Sequence, residues 1–293
     1  LPAILSLAIM EDLAIKRDAA FAIANMSDSQ ELQTDLVREG SLKVIADLSF
    51  CDDVRVQRDI ARTYANLTQT EEIRSEILAL NSLPSILNLA KSLDVSCQRY
   101  SALALCNLCA SNHKERLVDE GAVRPLIFLS RFPDTEIQRY SALAIAGLAL
   151  GGQGNNKVRI VEEGAMKSLV DLIRFPDKDV QISATIAINS ITLGLEQNTK
   201  SIVMTERGIE PLIELVSKDD RELICSAIYA LGSLCENEDV KARIVECGGI
   251  RPVVQQCIAG DIEIKRAAGY FLANICDQVC MYIQYIYLCY LLY

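Results

Sequence analysis

Apolar residues recur at helical spacing along most of the chain. They form separate stretches, with turn residues between one stretch and the next. One stretch, residues 122–131, has apolar side chains three and four positions apart, which is typical of a buried helix face. The same spacing recurs over about residues 134–150, and a shorter stretch covers residues 112–119. Phe132-Pro133-Asp134 lies between the two longer stretches, where proline ends one helix and aspartate can cap the next. The pattern therefore predicts three helices in each repeat.

A turn before each second helix stands at a nearly constant distance from a later position, which we call the ladder position. The turn residues are Gly40, Asn81, Gly121, Gly164, Gly208 and Gly249. Asparagine tolerates the left-handed conformation that ends many helices better than other non-glycine residues, so Asn81 obeys the same backbone rule. The distance is 26 residues in four repeats, as from Gly40 to Asn66, and 25 in the last two.

Asn25, Asn66 and Asn107 are 41 residues apart, and an arginine precedes each of them by eight residues. A period of this length is typical of helical solenoids, in which each repeat buries its apolar face by stacking on its neighbours. We therefore expect an all-α solenoid of about seven three-helix repeats, the first incomplete, in one continuous array. A stack of this kind offers a long groove, so the binding of another polypeptide is the function to expect.

The sequence resembles armadillo repeats from residue 1 to about residue 277. Ala-Val-Arg-Pro-Leu-Ile at 122–127 is similar to the opening of the second armadillo helix. Val-Gln-Arg-Asp-Ile-Ala-Arg-Thr-Tyr-Ala-Asn-Leu at 56–67 and Ser-Ala-Leu-Ala-Leu-Cys-Asn-Leu at 101–108 are similar to the third. The Gln-Arg openings are most similar to the vacuolar armadillo scaffold group, within arrays of the beta-catenin type. The resemblance implies a right-handed superhelix whose third helices line a concave groove.

The expected array covers residues 1–277. Its repeats are expected at about residues 1–40, 41–81, 82–121, 122–164, 165–208, 209–249 and 250–277. For the apolar, tyrosine-rich tail at 278–293, three interpretations stay open: an aberrant terminus, a capping helix and a membrane tail. The last is disfavoured, because about twenty apolar residues are needed to span a bilayer. Since Leu1 opens on a second helix, we expect a fragment of a longer protein.

Composition narrows the partner class and the compartment. The net charge of −10 argues against nucleic acid and against acidic membrane as partners. Eleven cysteines would suit the disulfide framework of a small secreted domain, but 51% hydrophobic residues provide a large core instead. Cys109, Cys235 and Cys276 each follow a ladder position by two residues, where a small apolar side chain suits a packed face. We expect a cytoplasmic protein, with the nucleus as the alternative, that has no transmembrane span and reaches membranes only through sequence outside this chain.

The candidate partner-binding residues at ladder positions are Asn25, Asn66, Asn107 and Asn274. An Asn amide both donates and accepts, so it can pair with the backbone of an extended guest without reading its sequence. The resemblance implies the same role, because groove asparagines of armadillo proteins hold ligand backbone. In the alternative interpretation, each asparagine bonds an adjacent helix of its own chain. Gly147, Ser190 and Ser233 interrupt the ladder, so we expect the strongest grip over the first three repeats.

Arginines recur eight residues before the ladder position. They are Arg17, Arg58, Arg99, Arg139 and Arg266, and the first four are candidate partner-binding residues. A cation near a helix start opposes the helix dipole by about 0.3 to 1 kcal/mol, so a compensating partner is expected. One interpretation pairs each arginine with an acidic residue a few positions away, such as Asp53 for Arg58 or Asp94 for Arg99. The other is a basic strip that favours a guest segment carrying Asp, Glu or phosphate.

The position four residues before the ladder asparagine separates this chain from one partner class. Import receptors of the importin alpha kind carry a Trp there, whose ring stacks on the lysine stems of the guest. Here Phe21, Arg62 and Leu103 precede the first three asparagines, and Tyr229 and Tyr270 occupy later repeats. Because the chain has no Trp and Arg62 would repel a basic guest, we do not expect recognition of a nuclear localisation signal.

Candidate catalytic and metal sites are few. Cys106, Cys109 and His113 have helical spacing, but a structural zinc site takes four ligands and both cysteines fall on core positions. His113 is the only histidine of the chain, and no nucleophile motif stands near it. Gly-Gly-Gln-Gly at 151–154 lacks the Gly-Lys-Ser/Thr ending of a phosphate loop and is expected to be a connection. We expect no catalytic residue, no metal and no cofactor.

Two function classes stay open. We favour a non-catalytic scaffold or adaptor that binds an extended segment of a partner protein along the groove. An acidic segment is one form that this partner segment can take. The alternative is the substrate-recognition region of a larger enzyme of the ubiquitin-ligase type. Sequence upstream of Leu1 would separate them, because a lipidation signal indicates the first and a RING-like or U-box segment the second.

Overall fold

The computed structural model describes residues 1–150, 155–194, 202–203 and 205–276, and the regular structure in these ranges is helical throughout. The insertion at 151–154 and the tail at 278–293 lie outside the described residues. The chain divides into two compact units, which we call the N-terminal half (Leu1–Gly151) and the C-terminal half (Gly152–Tyr293).

In each half the longest helix of a repeat follows one or two shorter helices, as the sequence predicts. The N-terminal half contains α1 (Pro2–Ala8), α2 (Leu13–Ser27), α3 (Gln30–Arg38), α4 (Ser41–Leu48), α5 (Val54–Leu67), α6 (Glu71–Ala79), α7 (Leu83–Leu89), α8 (Val95–Cys109), α9 (Lys114–Asp119), α10 (Val123–Ser130) and α11 (Thr135–Ala149). The described residues of the C-terminal half contain α12 (Asn155–Glu162), α13 (Ala165–Ile173), α14 (Lys178–Thr192), α15 (Ile209–Val216), α16 (Arg221–Leu234), α17 (Glu238–Glu246), α18 (Ile250–Ala259) and α19 (Ile262–Cys276).

The longest helix of each repeat, the third, begins after an aspartate that caps it. The helix predicted over about residues 134–150 is confirmed, because α11 runs from Thr135 to Ala149 with Asp134 as its N-cap. The capping residues are Asp12, Asp53, Asp94, Asp134, Asp177, Asp220 and Asp261. Their Oδ1 atoms accept backbone N–H groups of the second or third helical residue at 2.8 to 3.1 Å. Each cap contributes about 1 kcal/mol and fixes where a third helix starts.

The third helices pack side by side and expose equivalent residues. In the N-terminal half α2 packs on α5, α5 on α8, and α8 on α11; in the C-terminal half α14 packs on α16 and α16 on α19. Ile60, Leu105 and Ile145 are fully buried on the inner side of their third helices. Asn66 and Asn107 lie on the other side and stay half-buried. Equivalent positions of neighbouring repeats therefore share one partly accessible surface in each half.

The turn assignment is correct for four repeats and wrong for the last two. Gly40, Asn81, Gly121 and Gly164 adopt the left-handed conformation, as predicted. In the next two repeats the left-handed residues are Arg207, with φ of 56°, and Gly248, with φ of 75°. Gly208 and Gly249 have ordinary negative φ values instead and are small for another reason. A Cβ at Gly208 would lie 2.9 Å from Val170 and Val203 side-chain atoms, and one at Gly249 2.8 Å from Ile244.

This correction makes the repeat more regular than the sequence suggested. Counted from the left-handed residue, the ladder position is 26 residues later in the last two repeats as well, from Arg207 to Ser233 and from Gly248 to Asn274. The backbone conformation therefore keeps its place in every repeat, even where glycine does not.

Two further features of the fold are the state of the cysteines and the length of the helices. Cys109 and Cys235 are fully buried, whereas Cys276 is half-buried. The nine cysteines of the described residues are all free thiols. Within the same ranges, no helix combines the length and the apolar character that crossing a membrane requires.

Candidate functional site

Asn66 and Asn107, two ladder asparagines of the N-terminal half, contact the preceding third helix of their own chain through their amide nitrogens. Asn66 Nδ2 donates to Ser27 Oγ at 3.0 Å and to Asp28 Oδ1 at 2.7 Å. Asn107 Nδ2 donates to Thr68 Oγ1 at 3.2 Å. Each acceptor lies at the C-terminal end of the neighbouring third helix, where carbonyls and side chains lack helical partners.

Asn274 follows the same rule in the C-terminal half, where its Nδ2 donates to the Gly232 carbonyl oxygen at 2.9 Å. The alternative interpretation, in which each asparagine bonds an adjacent helix of its own chain, therefore holds for the amide nitrogens of Asn66, Asn107 and Asn274. The Oδ1 atoms of Asn66, Asn107 and Asn274 accept no hydrogen bond among the described residues, and these atoms are what the ladder can offer to a guest.

The gaps in the ladder are contact points as well. At the fourth ladder position, a Cβ on Gly147 would lie 2.9 Å from the Cys109 carbonyl oxygen. Ser233 at the sixth position exchanges a hydrogen bond of 2.8 Å with Thr192 Oγ1. Glycine stands at position 147 because two helix backbones approach each other there, which leaves no room for an asparagine.

The arginines eight residues before the ladder position form ion pairs between repeats. Arg17 Nη2 lies 2.5 Å from Asp53 Oδ2, Arg58 Nη2 2.6 Å from Asp94 Oδ2, and Arg99 Nη2 2.7 Å from Asp134 Oδ2. For these three arginines, pairing with an acidic residue at the start of the same helix is therefore wrong. The partner is the capping aspartate of the next third helix, because side-by-side packing brings the start of that helix within reach of the guanidinium.

Each of these aspartates serves two helices at once. Asp53 Oδ1 accepts from the backbone of α5 while Oδ2 accepts from Arg17 on α2. The Arg17 hydrogen bond lowers the pKa of Asp53 to about 2, with help from the α5 amides. The Arg58 hydrogen bond likewise lowers the pKa of Asp94. Burial raises the pKa of Asp134, but the bonds from Arg99 and the α11 backbone outweigh it, so the net shift is downward.

Two basic residues outside the predicted set continue this arrangement in the C-terminal half. Ile182 and Cys225 replace the arginine there, but Lys178 lies 3.0 Å from Asp220, and Arg221 lies 2.5 Å from Asp261. Both cations occupy the first residue of their third helix, four positions before the replaced arginine. The signal was present in the sequence as a basic residue directly after a capping aspartate.

The other two arginines differ. The Arg139 guanidinium lies over the Tyr140 ring, 5.1 Å from its centroid. Arg266 is exposed and forms no ion pair with any described residue.

Arg62 is the centre of a separate cluster on the surface of α2 and α5. Its Nη2 donates to Asn25 Oδ1 at 2.7 Å, and its Nη1 lies 3.8 Å from Asp28 Oδ2. The guanidinium also lies over the ring of Phe21, 5.9 Å from the centroid. Only 24% of the Arg62 side chain is exposed. At the first ladder position, the Oδ1 atom of Asn25 is therefore already used by Arg62 of the same chain.

Comparison with known proteins identifies the fold. No protein-family model and no curated protein matches the sequence. An engineered protein solved by the Northeast Structural Genomics Consortium matches with a TM-score of 0.86 at 27% identity, over 93% of this chain and 67% of its own. A designed armadillo repeat protein in complex with the peptide (KR)4 matches with a TM-score of 0.74 at 19% identity, over 80% of this chain and 100% of its own.

Computationally designed armadillo repeat proteins for modular peptide recognition match with a TM-score of 0.74 at 20% identity, over 80% of this chain and 99% of their own. The chain has the armadillo repeat fold. The fold predicted from the sequence is thus confirmed, whereas the assignment to the vacuolar scaffold group and the repeat boundaries stay predictions.

Armadillo third helices of the third and fourth repeats present the same residues to the surface. Arg-Tyr-Ser-Ala-Leu-Ala occurs at 99–104 and again at 139–144. Tyr100, Leu103, Tyr140 and Leu143 are all half-buried, so their side chains form a partly apolar strip across α8 and α11. The C-terminal half has a comparable pair, because the rings of Tyr229 and Tyr270 lie 5.8 Å apart.

Burial raises the pKa of the Cys106 thiol to about 11 and that of the Cys109 thiol well above its usual value. Among the described residues, no three His, Cys, Asp or Glu side chains are grouped closely enough to hold a metal ion.

Proposed function

We propose that this armadillo chain is a non-catalytic scaffold or adaptor, working in the cytoplasm, that binds an extended segment of a partner protein on its third helices. The observation that supports this most directly is the row of equivalent, partly accessible side chains across α2, α5, α8 and α11. The known armadillo neighbours add support, since one is a complex with the peptide (KR)4 and others were designed for modular peptide recognition.

Asn66 and Asn107 use the two ends of their amides differently. The amide nitrogen of Asn66 or Asn107 holds the preceding helix, and its Oδ1 can accept an N–H of the guest backbone. An Asn that is fixed on one side is preorganised, because its rotamer is already set before the guest arrives. The half-buried Tyr100, Leu103, Tyr140 and Leu143 would supply the apolar contact area.

The arginine row could also favour an acidic segment of the partner. Arg17, Arg58 and Arg99 already pair with aspartates, so a guest carboxylate must compete for donors that are in use. If guest carboxylates do bind these arginines, affinity should fall steeply as salt rises, because partly exposed ion pairs are screened.

The binding surface can be tested without knowing the partner. A phage library of random 15-residue peptides would be selected against the whole chain, and recovered peptides would be measured by fluorescence anisotropy. Leu103→Glu places a charge on the third-helix surface, and Phe128→Glu, at a side chain 50% exposed on the second helix α10, is the matched control.

We expect Leu103→Glu to weaken binding by about tenfold or more, since it buries a charge in the contact, and Phe128→Glu to leave it unchanged. Failure to recover any peptide above background, or equal loss in both variants, would refute the proposed surface.

A further inference from the structure

Arg62 has the contacts of a bound ligand rather than those of a surface cation. Three different groups surround its guanidinium: the Phe21 ring, the Asn25 amide oxygen and the Asp28 carboxylate. An aromatic face, a neutral acceptor and an anion are the three kinds of group that recognise an arginine side chain. All three come from α2 and the residue that ends it, while Arg62 comes from α5.

The position of Arg62 is exceptional within the repeat. The equivalent residues are Phe21, Leu103, Leu143, Ile186, Tyr229 and Tyr270, all of them apolar or aromatic. Only the second repeat places a charge there. The guanidinium also leaves its buried Nε without an acceptor, so the arginine is held by the ends of its two Nη groups alone.

The anion of this cluster is shared in a way that fixes it in place. Asp28 Oδ1 accepts from Asn66 Nδ2 at 2.7 Å, which orients its Oδ2 toward Arg62. Removing the guanidinium would leave this carboxylate without a cation among the described residues, and would uncover a Phe21 ring that is already 54% exposed. The charge and shape that remain fit a cation of the same kind.

We propose that Phe21, Asn25 and Asp28 form a guanidinium subsite which Arg62 fills from within the chain, and which an arginine side chain of a partner takes over when Arg62 swings out. The inference deepens the proposed function, since the subsite lies on the same third-helix surface. It also explains how the first ladder position can be closed in the free protein while later positions keep an open acceptor.

The test uses a single-residue probe, so that it does not depend on the binding of an extended peptide. N-acetyl-arginine methylamide would be titrated into uniformly ¹⁵N-labelled protein, and backbone amide shifts of Phe21, Asn25 and Asp28 would be followed. The citrulline analogue has nearly the same shape and no charge, so it reports non-specific effects. The proteins are the wild type, Arg62→Ala and the double variant Arg62→Ala/Asp28→Asn.

In Arg62→Ala we expect saturable shifts with the arginine probe. The affinity for this probe should be about tenfold higher than that for the citrulline probe, because charge-assisted hydrogen bonds and a cation–π contact favour the guanidinium. The wild type should show no saturable shift at these residues, and the double variant should lose the preference. If Arg62→Ala unfolds, Arg62→Met keeps the apolar stem and serves in its place.

A folded Arg62→Ala or Arg62→Met protein that does not prefer arginine over citrulline would overturn the proposal, as would equal binding by the wild type. Either result is separate from the peptide selection. If peptides bind but the arginine probe does not, the scaffold function stands without the subsite, and the reverse outcome would leave a cation site on a surface that binds no extended segment.

Discussion

Asp94 offers the sharpest test of how the repeats are held together, because one side chain makes two separable contacts. Its Oδ1 accepts the Cys97 backbone N–H of α8 at 2.8 Å, and the Arg58 guanidinium of α5 donates to both oxygens, to Oδ1 at 3.1 Å and to Oδ2 at 2.6 Å. Asp94→Ala removes the helix cap and the ion pair together. Asp94→Ser keeps a capping oxygen and removes only the ion pair.

The magnitudes of the two contacts differ. An N-cap is worth about 1 kcal/mol, whereas an ion pair with a partner as exposed as Arg58 is worth about 0.5 kcal/mol. The Arg58 side chain is 46% exposed, so solvent screens much of its attraction for Asp94. We therefore expect Asp94→Ala to lower the free energy of unfolding by about 1.5 kcal/mol and Asp94→Ser by about 0.5 kcal/mol.

The measurement is urea unfolding followed by circular dichroism, with Arg58→Met completing a double-mutant cycle. Methionine keeps the apolar part of the arginine stem, so the cycle isolates the charge contact. Asp12 is the matched control, since it caps α2 through Ala14 and Ile15 and forms no ion pair with a described residue. Asp12→Ser should therefore change little.

Equal losses in Asp94→Ser and Asp94→Ala would refute the reasoning, because they would mean that the ion pair stabilises the fold more than the helix cap does. A coupling energy above about 2 kcal/mol in the cycle would refute it as well, since that exceeds what partly exposed pairs contribute.

Three further predictions concern strain, close packing and pH. Arg207→Gly should raise the free energy of unfolding by about 0.5 to 1 kcal/mol in urea titrations, because a left-handed residue with a Cβ is strained, an advantage that the extra freedom of glycine in the unfolded chain partly offsets. Gly147→Ala should lower it by about 1 to 3 kcal/mol, since the new Cβ would press on the rigid Cys109 carbonyl, whereas Gly269→Ala, with nothing within 4 Å, should stabilise α19. The pKa of Asp53 is lowered to about 2 from a usual 3.8, so its stabilisation is full above about pH 4 and is lost as pH falls toward 2; Asp53→Asn should flatten that part of an acid titration of unfolding.

The regular part of this molecule could be predicted because local rules repeat along the chain. Proline and aspartate before α11 fix its start, and apolar spacing fixes its buried face, without information from other repeats. The same holds for the left-handed turns at Gly40 and Asn81, where residue type and backbone conformation agree. These are short-range relations between a residue and its neighbours in sequence.

The predictions that were wrong or incomplete concern relations between repeats. The partner of Arg58 was sought on its own helix, but side-by-side packing brings the cap of the next helix closer. Arg207 could not be recognised as the left-handed residue, because Gly208 beside it is small for a packing reason and imitates the turn signal. Lys178 was missed because it lies one helical turn before the position that holds arginine in other repeats, although its partner, Asp220, is at the usual capping position.

The atoms that stabilise the stack decide which atoms are left to bind a guest. Asp53, Asp94 and Asp134 use both oxygens, since each accepts from its own helix backbone and from an arginine of the preceding third helix, so this row is largely consumed by folding. Asn66, Asn107 and Asn274 use only the nitrogen of each amide. A residue that is half committed to the fold is well suited to recognition, because its orientation is fixed while one hydrogen-bonding atom stays unused. The Oδ1 atoms of Asn66 and Asn107, with the tyrosine and leucine strip beside them, are therefore better candidates for the binding surface than the arginine row, and Arg62 is the side chain that closes its first position.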